Sequence, residues 1–196
     1  MSIPDYLLSF VTEVTKIFDD SHNVTHAQAV TKTTHEIMQS FSTPYDEHFV
    51  TMIAMLHDVC DHKYPESIKR SDLSDFIKLH MSDEQAKYAD LIIDNVSYSK
   101  ESKGLRVILP EPYNTYLTAL SDADRLEAIG KIGIDRCETF TREHGGKVPE
   151  DVIKHCHEKL LRLLPDGFIK TPYARKLAEP LHQEIVDYVM HHSTTQ

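Results

Sequence analysis

Four residues whose side chains commonly bind metal ions are spread along the chain. They are His26, the adjacent pair His57 and Asp58, and Asp124. Two imidazoles and two carboxylates make a mixed nitrogen and oxygen donor set. Such a set suits Mn²⁺, Fe²⁺, Co²⁺, Ni²⁺ or Zn²⁺ better than Ca²⁺ or Mg²⁺, because the last two prefer oxygen ligands. The pattern therefore predicts a site for a divalent transition metal, Mn²⁺ foremost, with coordination positions left open for water and substrate oxygens.

Apolar residues at helical spacing predict the elements that carry these ligands. A first amphipathic helix covers residues 7–18 and ends at the polar run 19–21. A second helix carries His26 and closes at residues 42–44, and a third runs from about Asp46 to Val59 and carries His57 and Asp58. Helical patterning that resumes at Tyr113 carries Asp124. Each predicted ligand thus belongs to a helix or to a helix end.

The remaining segments are also helical in pattern. Shorter helices are predicted over 72–81 and 83–97, and further helices begin at Pro149, with apolar residues through Leu163, and at Pro172. Residues 98–112 form the only long irregular segment, and its strand-like piece 105–109 is too short to found a sheet. With no alternation of strands and helices, we expect an all-α fold: one compact helical bundle over 1–196, with a core at about 21–140 on which the C-terminal helices pack.

Composition narrows the classes of protein. The formal net charge is −10 and no long basic run occurs, which argues against binding to nucleic acid. No apolar run approaches the roughly 20 residues of a membrane span, and the first twenty residues hold no signal-peptide core. Cys60, Cys137 and Cys156 are scattered and odd in number, which indicates free thiols. We therefore expect a cytoplasmic protein that does not bind membranes.

The order H…HD…D formed by these four residues resembles the HD-domain superfamily of metal-dependent phosphohydrolases. The segments 56–63 (LHDVCDHK) and 121–136 (SDADRLEAIGKIGIDR) resemble a small stand-alone subgroup of HD hydrolases, and the similarity extends from about residue 21 to the last helix. The resemblance implies a helical HD domain and an enzyme whose metal ligands are His26, His57, Asp58 and Asp124.

The last ligand could be either of two carboxylates. Asp122 and Asp124 are two residues apart, so on a helix they point about 200° away from each other and only one can face the metal. The superfamily places its ligand directly after an alanine and before a bulky residue, which selects Asp124. Arg125 then either pairs with Asp122 or reaches a substrate phosphate.

The resemblance also implies roles beside the metal. Asp61 lies four residues after His57 on the same helical face, where it would orient or deprotonate the attacking water. Lys63 and Arg125 are candidate phosphate contacts. His22 is either a substrate contact or an ordinary loop histidine. The basic segment 100–106 is either a solvated loop or a cover over the substrate.

Two features qualify the resemblance. The subgroup has arginine at the positions of Ala29 and Leu181, which points to a different substrate preference here. Some HD enzymes hold two metals through extra histidines between the HD pair and the last aspartate. This chain has only His62 and His80 in that interval, which favours one metal.

These observations predict a hydrolase of nucleotides. The cations near the metal exceed what one phosphate requires, so we expect a nucleoside triphosphate to be split into monophosphate and pyrophosphate. The alternatives are a nucleoside monophosphatase, a phosphodiesterase, or a non-catalytic HD module that binds a nucleotide. A small-molecule phosphate is the expected partner, and the oligomeric state is left open.

Overall fold

A computed structural model describes residues 2–18, 23–60 and 66–193. These residues form ten α-helices and one short 3-10 helix (Leu160–Arg162), with no strand among them. The α-helices are α1 (Asp5–Val14), α2 (Val24–Ser40), α3 (Glu47–Leu56), α4 (Arg70–His80), α5 (Asp83–Asn95), α6 (Tyr98–Ser102), α7 (Tyr113–Glu127), α8 (Gly130–Glu143), α9 (Glu150–Glu158) and α10 (Pro172–Ser193). The all-α prediction is confirmed.

The chain divides into two compact units. One extends to Ser121 and the other starts at Asp122, so the boundary falls inside the continuous helix α7. The described residues include no helix long and apolar enough to cross a membrane. The sequence-based expectation of one domain over 1–196 stays a prediction.

Helix α3 is the centre of the first unit. It packs against α2, α5 and α1. Every residue from Phe49 to Leu56 is buried, as expected for a helix that is apolar on nearly all sides. The side chain of Asp46 caps its first turn by accepting a hydrogen bond from the backbone N–H of Phe49 at 2.9 Å. This helix therefore holds the residues directly after it, His57 and Asp58, at a fixed place.

In the second unit, α8 packs against both α10 and α9. The turn into α8 requires two glycines. Gly130 has a φ of +75°, and a Cβ placed there would lie 2.8 Å from Cδ2 of Leu181. A Cβ on Gly133 would lie 2.1 Å from the carbonyl oxygen of Ala128. These glycines therefore permit a tight turn between α7 and α8.

Four segments differ from the sequence-based expectation. The first helix ends at Val14, four residues before its predicted end. The segment 98–112 was predicted to be irregular, but it begins with the five-residue helix α6, which closes where the N–H of Gly104 donates to the carbonyl of Glu101. The helix that starts near Pro149 ends at Glu158 and does not continue through Leu163, because the backbone of Lys159 leaves helical geometry at φ −135° and ψ −63°. The third helix stops at Leu56, three residues before its predicted end.

Candidate metal centre

His26 lies in the first turn of α2, where a capping residue fixes the backbone. The side chain of Asn23 accepts hydrogen bonds from the backbone N–H groups of Thr25 at 2.8 Å and His26 at 3.3 Å. Asparagine is a favoured residue at this position because it satisfies amides that lack a partner within the helix. The ring of His26 is buried, with 4% of the residue exposed.

His57 and Asp58 come directly after the buried helix α3. Nδ1 of His57 donates a hydrogen bond to the carbonyl oxygen of Ala54 at 2.7 Å, and its side chain is fully buried. A carbonyl can only accept, so the proton of the neutral ring is on Nδ1 and Nε2 carries the lone pair. Histidines that bind metals commonly have their second ring nitrogen held in this way.

Four side chains could hold a metal ion together. His26, His57, Asp58 and Asp124 each offer one ligand atom, and these four atoms all lie within 4.8 Å of one another. We call this set the donor group. Oδ2 of Asp58 is 3.3 Å from Nε2 of His57 and 3.6 Å from Nε2 of His26. Both histidines are buried and both carboxylates are partly exposed, so one side of the group is accessible.

The chemistry of the donor group fits a cation. On neutral His57 the lone pair of Nε2 faces a carboxylate oxygen, and two acceptors repel each other unless a proton or a metal ion lies between them. Desolvation by itself raises the pKa of Asp58. When a proton takes that place, His57 and His26 are imidazolium cations, and their charges and hydrogen bonds outweigh that effect and hold the pKa of Asp58 well below its usual value. Asp58 is therefore an anion at neutral pH, as a metal ligand must be.

The two aspartates of α7 have different surroundings. Asp124 belongs to the donor group. Asp122 is completely buried, and its carboxylate accepts hydrogen bonds from the backbone N–H groups of Lys170 and Thr171. Positions two apart on a helix point in nearly opposite directions, so the structure brings only Asp124 into the group.

Arg125 is also buried, with 2% of the residue exposed. Its guanidinium donates to the carbonyl oxygen of Phe168 at 2.6 Å and lies over the Phe168 ring, 5.9 Å from the centroid. A role of Arg125 in substrate binding stays a prediction, and the contacts described here belong to the protein interior. Asp61, Lys63 and His22 lie outside the described residues, so their predicted roles also stay predictions.

Two cations of the basic segment 100–106 have partners within the chain. Lys100 pairs with Asp94 at 2.9 Å, and Arg106 pairs with Glu101 at 2.6 Å in a part-buried contact. Of the two positions where the resemblance expected arginine, Leu181 faces Gly130, and Ala29 is half-buried on α2.

Sequence reasoning missed three contributors to the site. The capping residue Asn23 had a local signal, because an asparagine three positions before His26 begins the helix that carries it. The carbonyl of Ala54 has no side-chain signal at all. The contacts of Asp122 reach 48 and 49 residues along the chain, so no local pattern announces them.

Comparison with known proteins agrees with this fold. No protein-family model matches the chain. YpgQ of Bacillus subtilis (strain 168) is 31% identical over 150 residues, which is 74% of this chain and 70% of YpgQ. The crystal structure of YpgQ superimposes with a TM-score of 0.77 at 24% identity, covering 97% of this chain and 94% of YpgQ. The structure of YpgQ in complex with ADP has a TM-score of 0.75 at 25% identity, covering 98% and 94%.

An HD-superfamily hydrolase from Bacillus thuringiensis also has this fold. Its TM-score is 0.70 at 24% identity, with 97% of this chain and 95% of that protein covered. The chain therefore belongs to the family of YpgQ, and it has the fold of a small stand-alone HD-superfamily hydrolase.

Proposed function

We propose that this protein is a metal-dependent phosphohydrolase that acts on nucleotides. The observation that carries the proposal is the donor group, four ligand atoms within 4.8 Å of one another in a chain that has the fold of an HD-superfamily hydrolase. Two imidazoles and two carboxylates suit a divalent transition metal, and we propose Mn²⁺ as the ion. The two carboxylates would together balance the charge of a dication.

A divalent ion held there would polarise a phosphate oxygen and lower the pKa of a bound water. The chain supplies the conditions for that chemistry. The Ala54 carbonyl fixes the orientation of the His57 ring, and the pKa of Asp58 lies well below its usual value, so that an ionised carboxylate is available to the ion. Asp61 is proposed to orient or deprotonate the attacking water, and Lys63 and His22 to contact the substrate.

One solved structure supports a nucleotide as the ligand, and another supports hydrolysis as the reaction. YpgQ has been crystallised in complex with ADP, a nucleotide with more than one phosphate. The Bacillus thuringiensis protein with this fold is described as a hydrolase. The pairing of Lys100 and Arg106 within the chain weakens the argument from surplus cations, so the ADP complex and the resemblance are the main support for a polyphosphate. We propose hydrolysis of a nucleoside triphosphate to monophosphate and pyrophosphate.

A product assay tests this proposal. The purified protein is incubated with a panel of ribo- and deoxyribonucleoside triphosphates and monophosphates, with added Mn²⁺ or with a chelator. Chromatography of the nucleotides is combined with separate detection of pyrophosphate and inorganic phosphate. We expect monophosphate and pyrophosphate from triphosphates, and no turnover with the chelator. The variant Asp58→Ala, tested for helical content by circular dichroism, should lose most of its bound metal and most of its turnover.

Two outcomes would change the conclusion. Inorganic phosphate from monophosphates, with triphosphates left intact, would replace the pyrophosphohydrolase with a monophosphatase that uses the same site. Nucleotide binding without turnover under any metal would make the protein a binding module of the HD fold.

A further inference from the structure

The last two turns of α7 carry two buried charged side chains, Asp122 and Arg125, and Asp122 points about 200° away from Asp124. Asp122 is 0% exposed and Arg125 is 2% exposed. They are three residues apart, so they lie on neighbouring positions of one helical face. Burial of two ionised groups is costly unless each is well hydrogen-bonded, and an apolar pair could have packed there instead. The contacts that these two residues make therefore need an explanation.

Both side chains hold the same short segment, residues 168–171, which leads into α10. Oδ1 of Asp122 accepts from the N–H of Lys170 at 2.9 Å, and Oδ2 accepts from Lys170 at 3.1 Å and from Thr171 at 2.6 Å. Arg125 donates to the carbonyl of Phe168 at 2.6 Å. Asp122 thus accepts from two backbone amides of this segment, and Arg125 donates to one of its carbonyls. Two attachment points one turn apart fix the rotation of α7 about its axis as well as its position.

We infer that Asp122 is a positioning residue for the metal ligand Asp124, acting by locking the rotation of α7 through the backbone of Lys170 and Thr171. The inference rests on the proposed function only in taking Asp124 as a metal ligand. A side-chain tip lies about 5–6 Å from a helix axis, so a rotation of about 10° moves it by about 1 Å. Ligand distances in metal sites vary by only about 0.2 Å, so α7 must be held more tightly than that.

Direct measurement of Mn²⁺ binding tests the inference without any nucleotide. Asp122→Asn keeps the shape of the side chain but replaces one accepting oxygen with an NH₂ group, which cannot accept from Lys170 or Thr171. We expect the dissociation constant for Mn²⁺ to rise by about 10–100-fold, the usual effect of losing a residue that orients a metal ligand. Isothermal titration calorimetry or the electron paramagnetic resonance signal of free Mn²⁺ gives this constant. Excess Mn²⁺ should restore most of the kcat, because the ligand itself is intact.

A matched control separates positioning from general stability. Tyr188→Phe removes the hydrogen bond from the Tyr188 hydroxyl to Glu138 at 2.8 Å, between α10 and α8 of the same unit. Its Tm without metal should fall, while its dissociation constant for Mn²⁺ should match that of the wild type. An unchanged Mn²⁺ constant in Asp122→Asn, together with a lowered Tm, would show that Asp122 is purely structural and would overturn the inference.

Two further variants complete the design. Arg125→Lys shortens the side chain that binds the Phe168 carbonyl, and it should also weaken Mn²⁺ binding. This variant tests the inference if Asp122→Asn does not fold. An unchanged Mn²⁺ constant in Arg125→Lys would then overturn the inference. Asp124→Ala separates the inference from the proposed function. If the wild type binds no Mn²⁺, or Asp124→Ala binds it normally, the metal site is wrong and the inference falls with it. If Asp124→Ala loses binding and Asp122→Asn does not, only the inference fails.

Discussion

Replacing Asp58 with asparagine is expected to remove most of the stabilisation that Mn²⁺ gives to the folded protein. Oδ2 of Asp58 lies between the two buried imidazoles, 3.3 Å from His57 and 3.6 Å from His26. The donor group has two carboxylates, so asparagine leaves one negative charge to balance a dication. Asparagine has nearly the same shape, so the surrounding helices should be preserved.

The size of the effect follows from mass action. At a Mn²⁺ concentration of about 100 times the wild-type dissociation constant, binding adds about 2.7 kcal/mol to the free energy of unfolding. Loss of a charged ligand should weaken binding by at least about 100-fold, the upper end of the range for residues that only support ligands. The same concentration then adds only about 0.4 kcal/mol. The difference of about 2.3 kcal/mol corresponds to roughly 5–9 °C in Tm for a chain of this length.

Differential scanning calorimetry with and without Mn²⁺ measures this effect. Each variant is compared with its own metal-free form, so any change in intrinsic stability cancels. Asp94→Asn is the matched control. Asp94 is an exposed carboxylate that pairs with Lys100 and does not belong to the donor group. Mn²⁺ should raise the Tm of this variant by as much as it raises the Tm of the wild type. An equal Mn²⁺-dependent gain in Asp58→Asn and the wild type would refute the assignment of Asp58 as a ligand.

Three other perturbations have expected outcomes. Asp61→Asn should keep the metal but slow turnover by about 10²–10⁴-fold, the scale for a general base, in steady-state kinetics with parallel metal analysis; an unchanged kcat would exclude that role. Gly130→Ala and Gly167→Ala each force a side chain into positive φ, at about 1–2 kcal/mol. Of these two positions, only a side chain at 130 would also contact Leu181. Urea unfolding should therefore show that Gly130→Ala lowers the free energy of unfolding by about 1–3 kcal/mol more than Gly167→Ala, and equal losses in the two variants would contradict the contact. Burial lowers the pKa of His35 in the folded protein, so the unfolded chain binds the proton more readily. The free energy of unfolding should therefore fall by up to about 1.4 kcal/mol per pH unit as the pH drops below about 6.5. His35→Gln should lack this part of the pH dependence between about pH 7.5 and about pH 5.5, and an identical dependence in both proteins would argue against it.

Much of the fold could be predicted because its signals are local. Apolar periodicity placed α2, α3, α5 and α10 to within a few residues, and the expected fold of the small HD-domain proteins is confirmed. Apart from the short helix α6, which was not predicted, the errors were at helix ends. The backbone conformation of a single residue, such as Lys159, sets the boundary of a helix there, and the side-chain pattern contains little information about that conformation.

The composition of the candidate site was also available from the sequence. Imidazole and carboxylate chemistry belongs to the residue type, and the order of His26, His57, Asp58 and Asp124 could be compared directly with a family pattern. Helix geometry further showed that only one of Asp122 and Asp124 could face a metal.

The sequence by itself thus determined the helical class and the set of candidate ligands, because periodicity and donor chemistry are properties of neighbouring residues. Only the tertiary structure decided how those residues are held. It turned the buried face of α7 towards residues 168–171. The partners of Asp122 and Arg125 are 43 to 49 residues away along the chain and are mostly backbone groups, which every residue other than proline possesses in the same form. Such contacts leave no local pattern, because the folding of the whole unit selects which donor and which acceptor meet.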